Sequence, residues 1–357
     1  MGATGYTGRL IVSELCKKEI CFTAAGRDKV KLKELKSINI NLISTREFCF
    51  EDVDFISFLD KYDLIINCVG PFNFYAPKII DACVHLGKTY FDLTGEQAIV
   101  AQSLRERHVQ AKENQARIVH SIAFESTLAD ILLSIGLEKL KSEQFKSYNT
   151  YYKLGSKLMS PGTRISMKVA GAYSKFIVYE GKLITKEPFD RREYDSIEPY
   201  VAHFVGYPEV IFSYHRIQPS FCSSNFLVEK DDNLNYLGGS LPVKEITVEE
   251  QISLHSKRKI SGPTSEDRKN QCFELHSYLK TDNQCFYQKI EGTDMYGITA
   301  SLMALAVEQL VKSMEKGIAF STGFLTPAEF LGQSGIDWIK SNSFCSISKA
   351  EQTELKG

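Results

Sequence analysis

The sequence lacks any CxxC pair: its nine cysteines, Cys16, Cys21, Cys49, Cys68, Cys83, Cys222, Cys272, Cys285 and Cys345, are odd in number and show no metal-ligand spacing. That usage excludes a disulfide scaffold and a zinc module, and predicts reduced, intracellular thiols. Long hydrophobic runs are missing as well. The longest, Leu302 to Val307, falls far short of the ~20 apolar residues of a membrane-spanning helix. No basic-then-apolar leader opens the chain, so a soluble, cytoplasmic protein is expected. Nor does charge of one sign dominate, because 43 Lys+Arg against 44 Asp+Glu leave a net charge of -1. No long-range field then favours nucleic acid or an anionic membrane. Internal repeats and low-complexity linkers are absent too. No Ser/His/Asp order suggests a hydrolase, and no His/Cys cluster suggests a metal.

What is present is an ordinary globular composition, 43% hydrophobic and 24% charged, over 357 residues. That length exceeds the roughly 250–300 residues at which one core stops growing, which predicts two domains. The first third alternates helix and strand. Leu10, Ile11, Val12, Leu15 and Cys16 recur at helical spacing, and Ile20 to Ala25 is a short apolar run stopped by Gly26. A Lys-rich helix follows around Val30 to Leu35, then a strand near Asn39 to Ile43, a short helix around Phe55 to Leu59, and a strand Leu64 to Val69 ending at Gly70-Pro71. A helix over Lys78 to Leu86, a strand Thr89 to Phe91, a polar helix ending near Gln115, and a last strand Arg117 to Ile122 complete the series. Apolar strands alternating with helices predict an α/β domain with a doubly wound parallel sheet of Rossmann type.

From about Phe145 the pattern turns to period-two alternation, which predicts a second domain built on an antiparallel sheet. Phe273 to Leu279 and Phe286 to Ile290 flank a Thr281-Asp282-Asn283 turn and predict a hairpin. Phe176 to Tyr179 and Val210 to Ile217 are expected as strands, Ile165 to Tyr173 and Thr293 to Met314 as helices. Thr326 with Pro327 marks a further helix start. The tail from Ser341 is polar and expected to fray.

Gly2, Gly5 and Gly8 form a G-x-x-G-x-x-G run directly before a helix. There, backbone amides and the helix dipole can receive a pyrophosphate, and missing side chains permit its close approach. Ala3, Thr4, Tyr6 and Thr7 fill the same loop, with Thr4 and Thr7 able to add hydroxyl donors. Gly26-Arg27-Asp28 stands at the end of the second strand, where the adenosine ribose would lie. Arg27 offers a fork of donors for a 2′-phosphate, so NADP is preferred to NAD, while Asp28 beside it is the type that accepts from a 2′-hydroxyl. Gly70, Pro71 and Phe72 lie just past the fourth strand, which Cys68 and Val69 end, at the sheet edge that binds ligands; all five are candidate cofactor contacts. Asp92 and Glu96 flank Gly95 at the end of the next strand, suited either to acid/base work or to capping the helix near Gln97.

Together Gly2 to Arg9, Ala25 to Asp28, Asn67 to Phe72 with Tyr75, and Asp92 to Glu96 resemble the saccharopine dehydrogenase-like oxidoreductases, in particular the branch with the trans-acting enoyl reductases. Gly262 to Arg268, Tyr296 to Ala300 and Gly323 to Glu329 extend the resemblance into the second half. The resemblance implies an NADP-binding Rossmann domain over 1–130, an α+β substrate and dimerisation domain over 131–304, and a helical segment over 305–357 returning to the first. It also implies a small-molecule, lipid-like or acyl substrate, and a homodimer. Three departures stand out. Ala123 to Asp130 keeps the aromatic, the acid, the Ser and the final Asp of a Gly-Phe-Asp-Ser-x-Pro-Ser-Asp run but loses its Gly and Pro. Ala76 replaces a Gly, and Ser160-Pro161-Gly162-Thr163 replaces a more glycine-rich stretch. Only Met1 precedes the loop, so the first strand is expected to be truncated: either the start falls late, or the domain binds cofactor poorly.

Hydride reduction of a C=C or C=N bond needs an oriented acceptor and a proton donor. Tyr75, which follows the turn after the fourth strand, His120 at a strand end, and Tyr296 at the start of the long helix are the candidate donors. Core packing is the competing reading for each. Two other functions stay open: a saccharopine reductase-type enzyme, for which Arg191-Arg192 and Lys257-Arg258-Lys259 could bind carboxylates, and a non-catalytic dinucleotide-binding scaffold.

Overall fold

A computed structural model describes residues 1–51, 54–141, 144–155, 158–170, 175–186, 196–197, 200–229 and 262–355. The basic pairs at 191–192 and 257–259 lie outside the described residues. Two compact units are formed: residues 1–94, 101–124 and 296–331 make the first, and 95–100, 125–295 and 332–357 the second. Among the described residues, no helix is long and apolar enough to cross a membrane.

The first unit is a Rossmann-type arrangement of parallel strands and helices. Helix α1 (Tyr6–Lys17) leads to β1 (Phe22–Gly26), α2 (Lys29–Lys36), β2 (Ile43–Glu47), α3 (Phe55–Leu59), β3 (Leu64–Asn67), α4 (Phe72–His85) and β4 (Thr89–Asp92). Helices α5 (Gln97–Gln102) and α6 (His108–Glu113), joined by a π-helical turn at Ser103–Arg107, then precede β5 (Arg117–Val119). Strands β1 and β2 pair in parallel, and a separate parallel sheet runs in the order Gly323–Leu325, β5, β4, β3. Met1 to Ala3 stand between the two. The Met1 amine donates to Ile66 O (2.6 Å), Cys68 N–H to Met1 O (3.0 Å), and Ala3 N–H to Ala25 O (3.2 Å). Around β1, the apolar faces of α1 and α2 close a core of Ala3, Val12, Ala24, Leu32, Leu35 and Ile43.

Several boundaries of this unit differ from the sequence expectation: the strands expected over 64–69 and 117–122 end at Asn67 and Val119. The strand expected near Asn39 to Ile43 starts only at Ile43, because Asn39 Oδ1 accepts from Asn41 and Leu42 N–H and makes a turn there. Helix α4 begins at Phe72 rather than Lys78 and carries Pro77 inside it, so Tyr75 is helical.

Among the described residues, the second unit carries a ten-stranded mixed sheet. Its strands include β6 (Ser147–Leu154), β7 (Lys175–Tyr179), β8 (Lys182–Lys186), β9 (Ser196–Ile197), β10 (Tyr200–Phe204), β11 (Phe221–Glu229), β12 (Phe273–Lys280) and β13 (Gln284–Gly292). Pairing is antiparallel except between β6 and β11, which run parallel. Helix α7, which starts at Phe124 and runs to Leu140, packs on the sheet through Gly136, where a Cβ would come within 2.9 Å of Leu279 and 3.2 Å of Phe286. Helix α8 (Pro161–Ala170) covers most of the expected 165–173 segment, whose end lies outside the described residues.

Here the expected strand Val210 to Ile217 is instead most of α9 (Glu209–Ile217). Its β-branched and aromatic residues favour a strand locally, but helical winding buries Glu209, Val210, Ile211, Phe212 and Ser213 together. Tertiary burial overrides propensity. The polar tail also differs from expectation, since Cys345–Ile347 and Glu351–Glu354 add to the free edge of β13. The Glu351–Glu354 strand is fully exposed, so backbone pairing and not apolar burial holds it.

Candidate dinucleotide site and a titratable cluster

The glycine loop closes tightly in the first unit. Gly5 N–H donates to Gly2 O (3.0 Å), and Gly2 has φ +73°. A Cβ on Gly8 would lie 2.4 Å from Gly2 O, and one on Gly2 would lie 2.9 Å from the Cys68 carbonyl and 3.0 Å from Val69 Cγ2. Side chains are therefore excluded from the turn, and the loop is drawn against the Cys68–Val69 segment. Gly5 is the N-cap of α1, and no side chain caps that end. Amides at a helix N-terminus flanked by glycines suit a pyrophosphate. Thr4 approaches Gly26, whose Cβ would lie 3.4 Å from Thr4 Oγ1, and Thr7 lies in the first turn of α1.

At the end of β1, Asp28 Oδ1 accepts from Val30 N–H (3.0 Å) and Lys31 N–H (3.1 Å), capping α2. Those backbone donors, that of Lys31 foremost, hold its carboxyl below the usual range. Arg27 is exposed. Tyr75 packs edge-on against Phe50 at 4.7 Å, and its phenol is pushed up by burial, with Arg27 opposing and Glu51 adding to the shift. Tyr75 thus belongs to the group around Arg27 and Phe50.

Beyond β3, Asn67 Oδ1 accepts from Val69 N–H (2.9 Å), while Asn67 Nδ2–H donates to Tyr90 Oη (3.0 Å). The Tyr90 hydroxyl donates to Asp92 Oδ2 (2.9 Å), which also meets His120 Nδ1 (2.7 Å). Asp92 Oδ1 takes Ser121 N–H (2.8 Å) and Thr94 N–H (3.2 Å). Asn67, Tyr90, Asp92 and His120 are all fully buried. The chain of bonds fixes the loops leaving β3, β4 and β5 against one another, so Asp92 anchors loops and does not cap the helix at Gln97. Burial raises the Cys68 thiol to about 11, which keeps it neutral. Pro71, preceding Phe72, is the N-cap of α4. Tyr296 packs edge-on against Tyr6 of the glycine loop at 5.0 Å. The three candidate donors, Tyr75, His120 and Tyr296, thus fall in three separate groups of contacts.

The second unit carries a different cluster, which the sequence marked only at Glu96 and, as part of a motif, at Glu125. Gln97 Nε2–H donates to Phe176 O (3.1 Å) and Tyr207 O (2.9 Å), and its Oε1 accepts from Phe176 N–H (2.8 Å). This ties the 95–97 segment to the start of β7 and to Tyr207. A Cβ on Gly95 would lie 3.5 Å from Glu125 Oε1 and 3.7 Å from Tyr207 Cε1. One on Gly206 would lie 3.1 Å from Lys175 Cβ. Desolvation raises Glu125 to about 7, with the Glu209 charge adding to it. Desolvation lowers Lys175 to about 8, against the opposing pull of Glu96. Glu209 itself is caged by hydroxyls: Ser224 (2.7 Å), Tyr152 (2.8 Å) and Thr150 (3.0 Å) donate to Oε1, and Ser126 (3.0 Å) to Oε2.

Comparison with known proteins accords with the glycine-loop geometry. Residues 1–119 match the family model described as the saccharopine dehydrogenase NADP binding domain. A "Saccharopine dehydrogenase-like oxidoreductase" of Rattus norvegicus is 28% identical over 148 residues, covering 36% of this chain and 34% of that protein. A Mycobacterium tuberculosis protein named as a trans-acting enoyl reductase, Rv2449c, is 29% identical over 136 residues, covering 36% and 32%. The chain thus matches about a third of the length of these relatives. In fold it is similar to the apo saccharopine dehydrogenase (L-Glu forming) of Saccharomyces cerevisiae, with a TM-score of 0.56 at 13% identity over 97% of each chain. By motif, by geometry and by this match, residues 1–119 are similar to the saccharopine dehydrogenase NADP binding domain.

Proposed function

We propose that the chain is an NADP(H)-dependent oxidoreductase that reduces a C=C (enoyl) or C=N bond in an apolar or acyl substrate. The carrying observation is the glycine cradle: Gly8 leaves no room for a Cβ 2.4 Å from Gly2 O, and an N-terminus without a side-chain cap follows at α1. When bound there, the cofactor supplies a hydride. Gly2, Gly5 and Gly8 would admit the pyrophosphate, and Arg27 would hold the 2′-phosphate. Capping of α2 commits the Asp28 carboxylate to two backbone donors, which supports NADP over NAD. Val69 and Gly70, set in place by Asn67, would line the nicotinamide half.

The enoyl choice draws on the mycobacterial relative's name. Oxidation of NADPH, followed by absorbance with a panel of enones, enoyl thioesters and imines, tests the reading. Turnover of an enoyl or imine acceptor is expected. Binding of NADPH with no turnover across the panel would favour a non-catalytic scaffold instead.

A further inference from the structure

We propose that Phe50 and Tyr75 form the platform on which the adenine ring of the dinucleotide stacks, next to Arg27. This role for Tyr75 needs its ring and not its hydroxyl. The inference rests on the reading of the glycine loop as a dinucleotide site, and every residue in it lies within residues 1–94 of the first unit.

Two backbone paths lead from the glycine loop to this pair. On one side, Ala3 N–H donates to Ala25 O (3.2 Å), and a Cβ on Gly26 would lie 3.4 Å from Thr4 Oγ1, so the loop rests against the end of β1. Phe48 N–H then donates to Gly26 O (3.2 Å), which continues the β1–β2 pairing beyond Glu47 and brings the segment bearing Phe50 alongside Arg27. On the other side, the loop is drawn against the Cys68 carbonyl, 2.9 Å from a Cβ on Gly2. From there the chain runs through Pro71 into α4, where Tyr75 N–H donates to Pro71 O (3.3 Å). The rings of Phe50 and Tyr75 meet edge-on, 4.7 Å apart, where the two paths converge.

This pair differs from the aromatic residues around it in exposure. Phe48, Phe55 and Phe58 are buried, and the Arg46 guanidinium covers the Phe58 ring at 3.9 Å. Phe50 and Tyr75 are only half-buried, which leaves ring surface that a flat base can cover. Arg27 is exposed, and its charge acts on both Tyr75 and Glu51; Lys78 acts on Glu51 as well, and the Cys49 thiol donates to the Glu51 carboxylate (2.8 Å). A purine nucleoside phosphorylated on its 2′-oxygen presents a planar π face with a dianion beside it. Two half-exposed rings next to a free-standing guanidinium match that shape and charge, and the pyrophosphate cradle lies one strand end away.

The test uses the full chain with NADPH and with adenosine 2′-monophosphate, which carries the base and the 2′-phosphate without the nicotinamide. In wild type, saturating the Phe and Tyr ring protons by NMR is expected to transfer to H2 and H8 of the adenine more strongly than to the ribose protons. By calorimetry, Phe50→Leu and Tyr75→Leu, which keep apolar volume but lose the flat face, are each expected to weaken both ligands by the same factor, about 5–150-fold. Phe50→Trp and Tyr75→Phe keep a ring and are expected to hold both ligands within about threefold of wild type. Wild-type affinity in both leucine variants overturns the proposal, and so does a loss in Tyr75→Phe equal to that in Tyr75→Leu, which would assign the hydroxyl and not the ring. If a leucine variant does not fold, the transfer to H2 and H8 in wild type decides. Binding of NADPH by wild type without that preference for H2 and H8 overturns the platform and leaves the dinucleotide reading standing. Binding of neither ligand by wild type overturns the dinucleotide reading and the platform with it.

Discussion

His120 Nδ1 stands 2.7 Å from Asp92 Oδ2, and both side chains are wholly removed from solvent. The Nε2 on the other side of the ring is buried with no hydrogen-bond partner among the described residues. The pair serves the loops: Asp92 gathers Tyr90, Thr94, Ser121 and His120, and through Tyr90 and Asn67 it reaches the amide of Val69.

Replacing Asp92 by Asn would leave His120 and Tyr90 facing an amide that offers one acceptor oxygen in place of two. We expect Asp92→Asn to destabilise the chain by about 2–4 kcal/mol, the range for breaking a buried charge-assisted network. Urea unfolding measures it. A change below about 0.5 kcal/mol, the scatter of neutral surface substitutions, would show that the network is not the anchor described.

A methyl group at Gly8 would meet the backbone oxygen of Gly2 at 2.4 Å, and backbone cannot swing aside as a flexible side chain can. Gly8→Ala should therefore cost on the order of 1–3 kcal/mol, as overpacking does, and weaken dinucleotide binding with it. Thermal unfolding and a fluorescence titration read the two effects. Unchanged stability with unchanged affinity would sink the cradle argument.

The pH dependence of stability offers a third check. Glu125 has a folded value of about 7, above its ordinary 4.5. A raised carboxyl contributes stability that is fully present below about 4.5 and is lost as pH rises through about 7. Relative to wild type, Glu125→Gln should therefore gain stability across that window and track it on either side. Parallel curves for the two proteins from acid to neutral pH would contradict the raised value.

The sequence made the parallel-sheet half legible because its signals are local: a glycine triplet before a helix, Leu64 to Asn67 ending at Gly70-Pro71, and short apolar runs between helices. The hairpin of β12 and β13 was legible for the same reason, with its turn at Thr281 to Asn283. Val210 to Ile217 misled because β-branched composition speaks for a strand, whereas the burial that makes it helical comes from distant residues. The cage around Glu209 joins residues 83, 57 and 59 positions away, and no spacing rule spans such distances. The same holds for Lys175, whose nearest sequence neighbours carry no hint of Gln97 or Glu96. Asn67 and Tyr90 were missed for a subtler reason, since each reads as an ordinary strand residue until the parallel register of β3 and β4 sets Asn67 opposite Asp92.

The most direct test is a paired titration of NADPH and NADH against wild type and Arg27→Ala. A charge-assisted contact to the 2′-phosphate is worth about 1.5–3 kcal/mol, or roughly 10–100-fold in affinity. Wild type should bind NADPH the more tightly, and Arg27→Ala should weaken NADPH by about that factor while leaving NADH within about twofold. Equal affinities of wild type for the two dinucleotides, or no binding of either, would contradict an NADP site at this glycine loop.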